Sequence, residues 1–139
     1  MTLVSTSRKA APGLRALARG LAFALGGRYL ARGGTGMRDL VRMDPTIVLF
    51  SVGPGGPSFN LVVDEKPLAT FRVTAHEERV REGPISRGLF ASDGVRDLLR
   101  PALPAKRLDD GWDLGFDGPQ RLQYRLRLRS VGVDGAAGP

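Results

Sequence analysis

The side chains able to do chemistry fall into three groups: one histidine, one run of aspartates, and arginine. His76 stands in Ala-His-Glu-Glu-Arg and is the only histidine in 139 residues. A two-histidine zinc helix is therefore excluded. A Ser-His-Asp triad would want its serine on a Gly-x-Ser-x-Gly elbow, and none occurs. Asp109, Asp110, Asp113 and Asp117 are hard-cation ligands by type, but their spacing is not that of a calcium loop. They are expected instead to partner nearby arginines. Cysteine is absent, which removes disulfides, thiolate metal sites and a cysteine nucleophile. The residues thus assign no catalytic group, no metal site and no cofactor site, and the chain reads as non-enzymatic.

Arginine carries the remaining signal. There are 18 arginines and 3 lysines, and the net charge is +7. All of that excess lies before the first acid, Asp39, in Arg8, Lys9, Arg15, Arg19, Arg28, Arg32 and Arg38. From Asp39 onward, 14 basic side chains meet 14 acidic ones. Such asymmetry speaks to partners and not to fold. The seven early cations are therefore the candidate partner-binding residues.

The elements that must position them follow from periodicity. Leu14, Leu17, Leu21 and Leu25 recur at helical spacing, with Pro12 suited to the first turn and Gly26-Gly27 to the stop. This predicts a basic amphipathic helical arm over 1–38, tethered by Gly33-Gly34-Thr35-Gly36. A short helix, Met37 to Met43, should end at Asp44-Pro45. The arm suits nucleic acid or a neighbouring subunit, with an anionic membrane surface as a lesser partner. Its acid-free, Arg-rich character, with Arg28-Tyr29-Leu30-Ala31, also resembles a mitochondrial presequence, which would imply an organellar address. No run is long and apolar enough to predict a membrane-spanning helix.

The body, 39–132, reads as hairpins, and 133–139 as a disordered Gly/Ala tail. Thr46 to Val52 is apolar throughout and predicts a central strand buried on both faces. Ser58–Asp64 and Leu68–Thr74 alternate, and a three-residue loop between them would set Val63 opposite Ala69 and Leu61 opposite Phe71. Residues 75–92 read as a strand extension and loop, and Ser92 is placed to cap a helix through Leu99. Trp112, Leu114 and Phe116 alternate against Leu122, Tyr124 and Leu126. That register would face Asp117, Asp113 and Asp109 with Arg121, Arg125 and Arg129, neutralising an otherwise basic stripe. The aromatic rings, Trp112 among them, are assigned to the core.

The expected fold is α+β, mainly β: a small antiparallel sheet of hairpins with one or two short helices, plus the helical arm. The expected function is a structural or accessory subunit of a larger macromolecular assembly, fastened by the arm to an anionic partner. One alternative is a β domain binding an apolar ligand, its N-terminus being a targeting segment. The segment SFNLVVDEKPLATF resembles the strand–turn–strand of phage tail-tube subunits, and this resemblance implies a virion or tail component as a further alternative.

Overall fold

A computed structural model describes residues 2–7, 10–31, 36–100 and 102–131. Its first strand overturns the expected arm. β1 (Thr2–Thr6) lies inside the sheet, with Leu3, Val4 and Ser5 fully buried and Thr6 nearly so. It is followed by α1 (Pro12–Leu25), β2 (Arg28–Ala31), α2 (Met37–Met43), β3 (Thr46–Gly53), β4 (Gly56–Val63) and β5 (Lys66–Val80). The chain continues with β6 (Leu89–Ala91), α3 (Asp93–Leu99), β7 (Ala105–Arg107), β8 (Leu114–Asp117) and β9 (Leu122–Val131). All nine strands form one mixed sheet, ordered β2-β1-β3-β4-β5-β9-β8-β6-β7 and curled into a half-barrel. The small sheet of hairpins is thus replaced by a single large one that includes the N-terminal strand. The tail beyond 131 and the Gly33–Thr35 hinge lie outside the described residues.

Parallel pairing at the N-terminal edge explains why the arm is not an arm. β1 runs parallel to both β2 and β3. Such crossovers are right-handed, so a helix leading outward to β2 and one leading back to β3 must cover opposite faces. The packing obeys this. Leu14, Leu17 and Leu21 of α1 join the inner core with Val4, Phe50, Phe59, Phe71 and Leu126. Leu40 of α2 packs on the outer face with Leu3 and Ile47. The leucine stripe that suggested a docking arm is therefore the lid of the half-barrel. Gly26, at φ 66°, ends α1 in the left-handed conformation that glycine adopts most cheaply.

At the far edge β6 and β7 are also parallel and joined by a helix, α3. Three-residue strands of this kind carry no readable alternation, and the sequence shows no sign of β7. Ser92 does precede α3, but its hydroxyl makes no cap bond and instead meets Asp113 Oδ1 at 3.2 Å.

Both long hairpins keep the predicted faces and change the predicted register by two residues. Phe59 lies opposite Phe71 and Leu61 opposite Ala69. Leu114 lies opposite Leu126 and Phe116 opposite Tyr124. The turns, together with a β-bulge between Leu61 and Val62 that returns the first hairpin to its expected face, account for the shifts. Asp64 and Glu65 make a two-residue turn with φ of 50° and 68°, and Gln120 and Arg121 do the same with 58° and 63°. These are the primed turns that normally demand glycine. Glu65→Gly should therefore stabilise the fold by about 0.5–1 kcal/mol, the ~1–2 kcal/mol left-handed cost exceeding the extra chain entropy of glycine. A lower urea midpoint for the variant would contradict this turn.

Candidate nucleic-acid interface

Of the seven early cations, Arg8, Lys9 and Arg32 lie outside the described residues. The other four do not share one surface. Arg15 and Arg19 occupy the exposed side of α1, with the Arg19 guanidinium 5.7 Å from the centre of the Tyr29 ring. Arg28 is exposed on the edge strand β2. Arg38 is exposed on α2, on the other side of the sheet from α1.

A denser arrangement lies on the outer face of β5 and β9. Alternation sends Phe71, Val73, Tyr124 and Leu126 inward, so Thr70, Arg72, Arg125, Arg127 and Arg129 project outward. The registers place Ser51 opposite Ser58, Ser58 opposite Arg72, and Arg72 opposite Arg129. One straight row thus crosses four strands with two hydroxyls and two guanidiniums and no acid. Beside it runs Leu49, Asn60, Thr70 and Val131, also without an acid.

The neutral end of the row is a hydrogen-bonded cluster. Ser51 and Ser58 hydroxyls lie 2.8 Å apart, and Asn60 Nδ2 donates to each at 3.2 Å and to the Leu49 carbonyl at 3.0 Å. Arg72 Nη1 donates to the Gly55 carbonyl at 2.9 Å. That contact draws the guanidinium over the β3–β4 turn, where a Cβ on Gly55 would run into it. Between them lies a recess of about 270 Å³ lined by Ser51, Gly55, Ser58, Thr70, Arg72 and Val131.

The stripe on β9 is not neutralised as expected, because the register is shifted. Arg125 Nε meets Asp110 Oδ2 at 2.9 Å, not Asp113. Partial burial pushes the Asp110 carboxyl up, but the Arg125 hydrogen bond, the Trp112 N–H and the charges of Arg125 and Arg79 hold it below its usual value. Asp113 accepts from the Leu128 N–H at 2.9 Å, and buried Asp117 accepts from the Ser86 N–H and Gln123 Nε2. Arg127 donates to the Gly111 carbonyl and lies 4.7 Å from the centre of the Trp112 ring. Arg79, bonded to Glu77 at 2.6 Å, approaches the same ring at 5.9 Å. Trp112 is therefore half-buried beside outer-face cations, not in the core. Arg129 makes no ion pair or hydrogen bond with any described residue. Phe59, Phe71, Phe116 and Tyr124 are core, as expected.

Sequence reasoning missed Arg72 as part of the site. Its signal was present: it sits at an outward position of LATFRVT, between Thr70 and Thr74. His76 is exposed on β5 opposite Leu126, with no acidic or hydroxyl partner among the described residues.

Among the described residues no helix is long and apolar enough to cross a membrane. No family model and no curated protein matches the chain by sequence. Among solved structures it is similar to the crystal structure of Mil, an archaeal Imp4-like protein, at a TM-score of 0.66 and 16% identity. The likeness covers 94% of this chain and 99% of that one, so what the two have in common is the complete fold.

Proposed function

We propose that this protein is a non-enzymatic accessory subunit of a larger assembly and holds nucleic acid on the outer face of its sheet. The observation that carries the reading is the acid-free row Ser51–Ser58–Arg72–Arg129 with Arg127 beside it. A phosphate backbone is a line of negative charge, and binding to it is driven by guanidiniums that displace its counterions. Directly opposed like charges on adjacent strands destabilise a sheet. Their presence here is accounted for by a ligand of opposite sign. The early cations add to the positive potential but lie on other surfaces.

The test is the salt dependence of binding to a short single-stranded RNA, followed by fluorescence anisotropy. Replacing Arg72, Arg127 and Arg129 together by Gln should flatten the slope of log K against log salt by about 2 units, at ~0.7 per lost phosphate contact. Replacing Arg28 and Arg38 should change it less. The reverse ranking would move the interface to the N-terminal third, and no binding at low salt would reject the reading. Point substitutions are required, because deleting residues 1–38 would remove β1 and α1 and with them the core.

A further inference from the structure

We infer that the recess under the β3–β4 turn is a phosphate site. Arg72 forms its cationic wall, Arg129 stands beside it opposite Arg72 on β9, and the Ser51–Ser58 pair supplies a neutral donor. The inference rests on the reading above and deepens it: the ligand seated there is one phosphodiester of the bound strand.

Three features of the recess point to an anion with several oxygens. First, two arginines stand at facing positions on adjacent strands, whose Cα atoms in an antiparallel pair are only ~4.5–5.5 Å apart. Both are exposed, and no acid stands in their row. The Arg72 guanidinium reaches from there over the recess to Gly55. Second, the donors outnumber their acceptors. Arg72 uses Nη1 on Gly55, while its Nε and Nη2 make no bond to a described residue, and neither does any nitrogen of Arg129. The hydroxyl pair adds one more donor. Asn60 Nδ2 donates to both Oγ atoms, and one hydroxyl proton lies between them. The second hydroxyl proton has no acceptor within the cluster. Third, the arginine is positioned. Gly55 has no side chain, and the Arg72 guanidinium occupies the space a Cβ would take. Such a fork of donors held over a recess suits phosphate, which accepts on every oxygen and recognises guanidinium in bidentate fashion.

Gly55→Ala separates a built site from diffuse positive charge. It displaces Arg72 without altering net charge, and the displaced group is the mobile end of a side chain, so the fold is retained. Arg129→Gln removes the cation beside the recess. Three measurements are made on each protein. The first is the thermal midpoint in millimolar phosphate against chloride at equal ionic strength. The second is an amide NMR titration with inorganic phosphate. The third is the salt slope for single-stranded RNA.

Phosphate should raise the wild-type midpoint above its chloride value and shift the amides of Gly55, Ser58 and Arg72. Both responses should vanish in Gly55→Ala and weaken in Arg129→Gln. The RNA slope should fall by about one unit in each variant. No phosphate-specific response in the wild type, or an equal response in both variants, would overturn the site. RNA binding with no phosphate response would leave the proposed function standing and reject this seat. A phosphate response confined to these residues, with no RNA affinity, would establish the anion site and reject the nucleic-acid reading.

Discussion

Phe59→Ala should lower the free energy of unfolding by about 3–5 kcal/mol, as buried large-to-small aromatic changes do. Phe59 is fully buried at the centre of a row across the inner face. Its ring meets Phe50 edge-on at 5.3 Å and 88°, and Phe71 at 5.9 Å and 67°. Truncation loses both edge-to-face contacts as well as the transferred apolar area, and β3 and β5, hydrogen-bonded on either side of β4, resist collapse into the cavity. A protein of this size has a total stability of roughly 5–15 kcal/mol. The loss is therefore a large fraction of the total, and the urea midpoint of the variant should fall well below that of the parent. Urea unfolding with the slope held constant reads the difference, and a loss below ~1.5 kcal/mol would show that the ring row is not the keystone. The half-buried Phe23, which lies under the Arg87 guanidinium at 4.8 Å, should cost far less when changed to Ala.

The same substitution made twice in α1 should have opposite signs. Gly13 has open space where a Cβ would go, so Gly13→Ala should gain up to ~1 kcal/mol of helix propensity. Gly20 does not. A Cβ there would come within 2.6 Å of Tyr124 Cε2. Tyr124 is held from its other side, stacked on Phe116 at 5.2 Å, and Gly118 packs against the same ring edge. Gly20→Ala should therefore destabilise by about 1–3 kcal/mol despite the better propensity, the ordinary cost of overpacking. Tyr124 also reports the contact. Burial, and then the charge of Glu78, push its phenol above the usual value. A spectroscopic titration of the tyrosines should show that elevation relax in Gly20→Ala. Equal effects at the two glycines would mean that α1 does not lie on Tyr124.

What the sequence made legible was set by the range of each signal. α1, α2 and α3 were readable because apolar spacing, Pro12, Gly26 and Asp44-Pro45 are local marks. β3 was readable as a strand from its unbroken apolar run. It is not buried on both faces, since Leu49 and Ser51 are half-buried on the outer face and Val52 is exposed. β1, β6 and β7 were not, because strands of three to five residues are defined by distant partners and not by their own pattern. The hairpin registers failed for a sharper reason. A two-residue slip leaves every side chain on its own face, so alternation cannot detect it. Only the turn and any bulge beside it decide, and here both turns place non-glycine residues at positive φ while a bulge lies between Leu61 and Val62. That slip governed the site. With the expected register, Asp113 and Asp109 would have covered Arg125 and Arg129, and the basic face would have been dismissed. The true register sends Asp113 to backbone, and on its other edge β9 pairs with β5, which faces Arg129 with Arg72. The charge asymmetry of the first 38 residues was real, but its location on a separate arm was inferred from a leucine stripe that proved to be core.

The seam between β5 and β9 has a consequence for biosynthesis. A nascent chain can lay down β1 through β5 as they emerge, since every pairing among those strands is complete once β5 has been made. The inner face of the fifteen-residue β5 then waits for the last strand, which arrives only when Leu122–Val131 has been made. Until that moment Phe71 and Val73 are incompletely covered and a long strand edge stands open, the configuration in which chains stick to one another. Products of stalled translation that end before Leu122 should therefore partition into the insoluble fraction, and the complete chain should not.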